Sequence, residues 1–413
     1  MRDFVIDKDR SLMKYMGNMS QLAGAKRYEF IDGKAKGVEA VDIRTGTGFE
    51  YTVLPGRGMD IAYCSFKGVP ISYISKTGIV SPHYYESSGM GWLRNFFGGL
   101  LTTCGLSNVG KPCDDDHEIV GISYHGLQEE ISNSCAYNVC IIEDWTEDKD
   151  YIVSPAGQSN VGKPFDYKRG ALGVQHYGLH GRISNSCAYN VCVTEDWIND
   201  NDYIISASGK VKEAQLHGES LVLTRTVESC LGSNSLIITD NIENQARYSI
   251  PLMLLYHINI GYPILDENSR FILNSRNIEA NDEFSKKLID KFDSFTSPVL
   301  GKKENVYFYD LKTDKDGQTT VAVVNDRLEI GVYVKFNKTE LPEFTEWKMM
   351  GESEYVLGLE PGNCLPIGRK ESKGNGSLEY LEPYERKNVS LEIGVLQNKR
   401  EISEFEDKIE KFV

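Results

Sequence analysis

The chain has 413 residues, 40% of them hydrophobic and 25% charged, with a formal net charge of −15. No apolar run approaches the ~20 residues a membrane helix requires, and the acidic balance argues against a nucleic-acid partner, which would need clustered Lys and Arg. A small neutral or weakly charged ligand suits such a chain better, without membrane or nucleic acid.

The first residues, MRDFVIDKDRSLMKYMGNMSQLAG, lack the apolar core and small-residue cleavage site of a signal peptide, so a cytoplasmic address is expected. FEYTVLPGRGMDIAYCSFKGVPISYIS (49–75) then alternates apolar and polar residues, the period-2 pattern of strands. ESLVLTRTVES (219–229), NSLIITDNIEN (234–244), TTVAVVNDRLEIGVYVKFN (319–337) and EYVLGLEPG (354–362) repeat the pattern, while PLMLLYHINIGYP (251–263) reads as an apolar strand. ESKGNGSLEY (371–380) reads as a hairpin or surface loop. In EISEFEDKIEKFV, Ile402, Phe405, Ile409 and Phe412 form one helical stripe, which predicts a docked C-terminal helix. The whole predicts an all-β, antiparallel sandwich in a single domain over 1–413.

Residues 107–158 and 159–210 are two similar segments in tandem, alike at a little over half their positions without a gap. Two units are fewer than a stacked array normally needs, so one of them reads as an insertion. Each contains SCAYNVC and DYI runs that predict a hairpin. Between the shared Gly-Leu and ISNSCAYNVC runs the segments differ at one tripeptide: Gln128-Glu129-Glu130 in the first stands where the second has His180-Gly181-Arg182. That difference points to the second segment as the functional one and to a peripheral place for the first, although Asn108 rather than Asn160 could follow TTCGL into the site. The nine cysteines, four of them in the repeated C-x4-C spacing, lack accompanying ligand-spaced histidines and read as buried thiols with no metal role.

Three stretches place an ionisable side chain beside small residues. In YGLHGR, an extended chain would point Gly178, His180 and Arg182 one way. In the apolar strand, His257 shares a face with Met253, Leu255, Asn259 and Gly261. In EYVLGLEPGN, Glu360 shares one with Val356 and Gly358 before a Pro-Gly strand end. Together, His257 and Glu360 suit reversible proton transfer near neutral pH. Arg57 and Asp60 of GRGMDI either line a cleft or brace a turn; Trp92 and Arg94 read chiefly as a packed corner; Trp347 and Lys348 are contact candidates. His83 and His217 carry weaker signals.

GNMSQLAG, LPGRGMDI, GWLRNFFGGLLTTCGL, LHGRISN, LMLLYHINIGYP and EWKMMGESEYVLGLEPGNC together resemble a bacterial branch of the aldose 1-epimerase-like, or galactose mutarotase-like, proteins. The resemblance runs from about residue 15 to the C-terminus, interrupted by one surplus segment. It implies a galactose mutarotase-like β-supersandwich and an isomerase that interconverts anomers or epimers of a free sugar or sugar acid without a cofactor; the alternatives are a non-catalytic carbohydrate-binding or sensor protein and a different sugar isomerase using the same pair. Carried over, Glu360 would be the general base and His257 the general acid, with His180 helping to bind and orient the sugar and Arg182, two residues on, placed to hold a hydroxyl or carboxylate; Arg57, Asp60, Asn259 and Trp347 are the further candidates for contact with the carbohydrate. The Leu-Tyr-His-Ile-Asn and Glu-Pro-Gly-Asn contexts depart from the mutarotase pattern and leave the sugar open, and a homo-oligomer is compatible with the chain.

Overall fold

The alternation in SLIITDNIEN is realised as a strand, Ser235–Asn244, whose buried residues recur at every second position. The same physics makes the Tyr203–Ala214 strand bury Tyr203, Ile205, Ala207, Gly209 and Val211 on one face. The 319–337 stretch folds as predicted into two strands, Gln318–Asn325 and Ile330–Asn337, paired antiparallel. The computed structural model describes residues 8–116, 139–141, 153–155, 174–216 and 218–412. They fall into two units, 1–113 with 177–413, and 114–176.

In the larger unit the described strands form one sheet of twelve, another of eight and a two-stranded pair, Tyr73–Ile74 with Gly98–Gly99. Five neighbouring strands of the first carry the site. They are β1 (Leu101–Leu106), β2 (Ile250–Gly261), β3 (Asn305–Leu311), β4 (Glu343–Gly351) and β5 (Glu354–Gly362). Their order across the sheet is β1-β2-β5-β4-β3. Every residue of β2 is buried, so both its faces are covered, which explains a near-continuous apolar run in place of alternation. Its inner face, with Tyr256, Ile258 and Ile260, joins the principal core, where residues of both sheets meet. Its outer face, with Met253 and Leu255, joins a smaller cluster containing Trp92, Phe96, Cys104, Leu179 and Cys364.

The C-terminal helix spans Lys399–Ile409 and buries Ile402, Phe405 and Ile409, with Phe412 buried just beyond it. Asn398 caps it by accepting from the Glu401 amide at 3.0 Å. The 371–380 stretch departs from the expected loop. Residues Arg369–Asn375 form a short helix, ended by Gly376 at φ +78°, because Arg369 and Ser372 find buried places for its inner face. Among the cysteines, Cys64, Cys104 and Cys364 are buried as expected, whereas Cys187, Cys192 and Cys230 are exposed.

The hairpin expected in each similar segment is present: Tyr189–Trp197 pairs antiparallel with Tyr203–Ala214, and Val139–Ile141 with Val153–Pro155. Strand Cys113–Asp116 pairs with Val174–Tyr177, with Cys113 and Tyr177 counted in the larger unit and the rest in the smaller. The boundary between units therefore cuts through both similar segments instead of between them. Gln128, Glu129, Glu130, Asn160 and His217 lie outside the described residues. Among the described residues no helix is long and apolar enough to cross a membrane.

Candidate active site

Two register facts build the centre of the site. Leu255 pairs with Gly362 and Ile258 with Leu359 between β2 and β5, so His257 falls opposite Glu360. Side chains of directly opposed residues leave the sheet on the same face, and here His257 Nε2 lies 3.1 Å from Glu360 Oε1. The two are 5% and 2% exposed, which decides their chemistry. Burial pushes the Glu360 carboxyl well above its ordinary value, with the carboxylate of Glu304 adding to the shift. Burial, followed by the neighbouring His180, pulls His257 down to about 3. Both groups are therefore driven towards neutral forms, a protonated Glu360 beside an unprotonated His257, and the pair holds one proton with no net charge. Although close, the two are not aligned as a hydrogen bond: Glu360 Oε1 and His257 Nδ1 are buried without partners.

Aromatic rings enclose the pair. The His257 ring lies 5.2 Å from that of Phe96 and 5.3 Å from Trp347. Trp92 stacks on Phe96 at 4.7 Å and tilts against His180 at 4.7 Å. His180 completes the ring 6.1 Å from His257, its own pKa lowered by burial to about 4. Trp347 is held from behind, its indole N–H donating to Glu304 Oε2 at 2.7 Å. His180 and Trp347 are the half-buried members of the enclosure, so the approach from solvent passes them.

Gly358 keeps the floor open. It pairs with Trp347 and with Asn259 on the two adjoining strands. A Cβ there would sit 2.7 Å from Glu360 Oε1 and 3.3 Å from His257 Cε1. Gly358→Ala is therefore expected to lower turnover about 10–100-fold, as misplacement of acting groups does, while urea unfolding stays cooperative. Unchanged turnover would show that this space is not used.

The predicted residues separate clearly. His257, Glu360, His180 and Trp347 are brought together. Asn259 is fully buried beside them, donating to the His257 carbonyl at 2.8 Å and leaving its own Oδ1 without a partner. Arg182 is exposed. The extended geometry expected for YGLHGR is not found: His180 has φ +55° in a turn, because its N–H donates to the Gly110 carbonyl and Gly181 bridges to Gly105. His180 and Arg182 therefore do not share a face as strand residues would.

Arg57 and Asp60 are both fully buried, and among the described residues neither hydrogen-bonds to the His257–Glu360 pair. Arg57 donates to the backbone carbonyls of Ser184 at 2.7 Å, Asn95 at 3.1 Å and Val80, tying three segments together. Asp60 instead accepts from Thr103, at 3.0 Å from its N–H and 2.7 Å from its hydroxyl. Lys348 points to the other face, where its ammonium donates to the carbonyls of Lys291 and Phe292 at 2.7 and 3.0 Å. His83 is exposed, its ring 2.9 Å from the Ser81 hydroxyl, and Arg94 pairs with Glu86 at 3.4 Å.

Two contributors carry no sequence signal strong enough to single them out, whereas Asn108 was the sequence's alternative to Asn160. Phe96 and Glu304 act through ring packing and one hydrogen bond. Asn108, from the first similar segment, sets the wall beside His180: its amide donates to the Gly178 carbonyl at 2.8 Å and its oxygen accepts from the Arg369 N–H at 2.9 Å. Among the described residues no His, Cys, Asp and Glu cluster is arranged to hold a metal ion.

The family described as "Domain of unknown function (DUF4432)" matches the chain over residues 35–168 and 152–395. No protein with a curated description matches. Among solved structures, a candidate aldose 1-epimerase from Klebsiella pneumoniae superposes with a TM-score of 0.76 at 23% identity, covering 96% of this chain and 90% of its own. A galactose 1-epimerase from Lactobacillus acidophilus gives 0.53 at 12% identity, covering 91% and 99%. A galactose mutarotase-like protein from Clostridium acetobutylicum gives 0.52 at 14%, with the same coverage. The fold is thus the galactose mutarotase-like β-sandwich with a C-terminal helix.

Proposed function

This chain belongs to the DUF4432 family, and from that premise and the geometry of the His257–Glu360 pair we infer a carbohydrate-binding aldose 1-epimerase-like isomerase. It would interconvert the anomers of a free sugar or sugar acid. The observation that carries the reading is a buried carboxyl and imidazole 3.1 Å apart under an aromatic enclosure, both driven by burial towards their neutral forms.

Anomerisation needs that inventory. The anomeric carbon bears two oxygens, the ring oxygen and the hydroxyl. A base takes the hydroxyl proton, an acid gives one to the ring oxygen, and the bond from carbon to ring oxygen breaks to leave an aldehyde. Rotation about the adjacent bond and the reverse transfers close the ring on the other face. One shared proton suffices, because each passage returns it to the pair. With Glu360 as base at the anomeric hydroxyl and His257 as acid at the ring oxygen, the pair acts as carboxylate and imidazolium, the tautomeric assignment reached when the proton of the resting neutral pair passes from Glu360 to His257. Both assignments contain the same number of protons, so the pair titrates as a unit. Trp347, Phe96 and Trp92 supply apolar ring faces suited to the C–H side of a sugar, and His180 and Asn259 supply polar contacts.

The pH dependence follows. His257 is lowered, so the acidic limb of the rate profile is expected towards 3 and not at its ordinary 6.5. Glu360 is raised, so the alkaline limb lies well above 4.5. Between the two limbs the rate is expected to stay level; an acidic limb centred near 6.5 would show a solvated histidine and defeat the assignment.

The direct test follows a freshly dissolved single anomer by polarimetry or NMR across hexoses, pentoses and uronates. Equilibration faster than in buffer supports the reading, and none across the panel refutes it. Sugar binding without anomerisation, unaltered by Glu360→Gln, would instead identify a binding or sensor protein. Solvent deuterium entering a carbon position would identify a different isomerisation using the same pair.

A further inference from the structure

One polar atom on the site's face has no task in the chemistry above. Thr345 lies on β4 directly opposite Glu360, so its side chain shares the face of the pair. It is 1% exposed, and its hydroxyl has no hydrogen-bond partner. Its chain neighbour Glu346 faces the other way, accepting from the Tyr309 hydroxyl within the principal core. Trp347, two residues along on the Thr345 face, touches His257. A buried hydroxyl without a partner is costly, whereas valine would fill nearly the same volume with no polar atom to satisfy. The sequence nevertheless places threonine there.

The row across the sheet supplies a reason. His257, Glu360 and Thr345 stand on three successive strands, β2, β5 and β4, at spacings of about 4.8 Å. A pyranose presents its ring oxygen, its anomeric oxygen and its C2 substituent in the same order around one edge. With His257 and Glu360 serving the first two, the third falls towards Thr345. We propose that the Thr345 hydroxyl reads the C2 substituent, and that the site is a specificity device for aldoses bearing a C2 hydroxyl group. A sugar hydroxyl both donates and accepts, as the threonine hydroxyl does. This inference rests on the anomerase reading, because that reading orients the ring.

The test compares the full chain with Thr345→Val and Thr345→Ser on glucose and galactose and their 2-deoxy counterparts. kcat/KM is read by NMR, and affinity by quenching of the tryptophans that line the site. The unsubstituted chain is expected to favour the 2-hydroxy sugar about tenfold, the scale of one neutral hydrogen bond. Thr345→Val should erase that preference and Thr345→Ser should restore most of it. Equal losses on both members of a pair, or a preference that survives Thr345→Val, would overturn the proposal. If sugars bind but do not anomerise, the isomerase reading fails while the affinity ratio still decides the role of Thr345. If no sugar binds or turns over, both fall.

Discussion

Glu360→Gln is expected to lower anomerisation by about 10²–10⁴-fold, the range typical of a lost proton-transfer group, while leaving the fold intact. Burial already favours the neutral carboxylic acid, so an isosteric neutral amide fits the same space and removes only the transferable proton. His257→Asn should cost as much, and the double variant no more than the worse single one, because the two groups act as a unit. Stability supplies an independent readout. Glu360 is raised in the folded state, so its contribution is fully present below its ordinary 4.5 and is lost as pH rises towards the folded value. Glu360→Gln should therefore gain in relative stability on the alkaline side of that value, measured by urea unfolding at several pH values. Residual turnover above about a tenth of the original, given the proton-transfer range just cited, would remove Glu360 from the mechanism.

Arg225→Met is expected to destabilise the protein by about 3–5 kcal/mol, the cost of leaving buried carboxylates without their cation. Arg225 is fully buried in the eight-stranded sheet. Its guanidinium grips Asp240 through two hydrogen bonds of 2.8 and 2.6 Å and reaches the Thr103 hydroxyl of β1 at 2.7 Å. Tyr256 of β2 donates to the same Asp240 at 2.7 Å, and Asp60 lies 3.5 Å from the arginine. One cation thus joins both sheets directly behind His257. Burial raises Asp60 to about 7, so this carboxyl favours folding fully below its ordinary 3.8 and loses that contribution as pH rises through 7. Replacing Arg225 and Asp240 together by apolar residues should cost much less than Arg225→Met alone, since no buried charge is then abandoned by its direct partner. Urea unfolding measures both; a single-variant loss under about 1 kcal/mol would mean that water or rearrangement satisfies the carboxylates.

A lone ionisable group in an apolar run was enough to mark His257, and strand alternation, with a glycine two residues before and a turn just after, was enough to mark Glu360. The terminal helix was legible for the same kind of reason. GRGMDI shows where such reading stops: Arg57 and Asp60, three apart, look like partners, yet one serves carbonyls of distant loops and the other serves Thr103 and Arg225. Nothing in EFTEWK marks Thr345, and nothing in VLTRTV distinguishes a buried arginine from one facing water. The helix at Arg369–Asn375 was read as a loop because its glycines and polar residues outweigh any periodicity, and tertiary burial of Arg369 and Ser372 prevails over that local preference.

By itself, then, the sequence determined which segments are strands, which faces are apolar and which two ionisable groups sit on buried faces, since these depend on periodicities of two and 3.6 along the chain. Tertiary structure alone decided that His257 meets Glu360, that Thr345 completes their row, and that Asn108 of one similar segment stands beside His180 of the other. The first is a matter of register between strands far apart in the chain, the second of register between the consecutive strands β4 and β5, and the third of the turn and loop that carry His180 and Asn108. A shift of one residue in either strand pairing would turn the shifted strand's side chains to the opposite face and break the row.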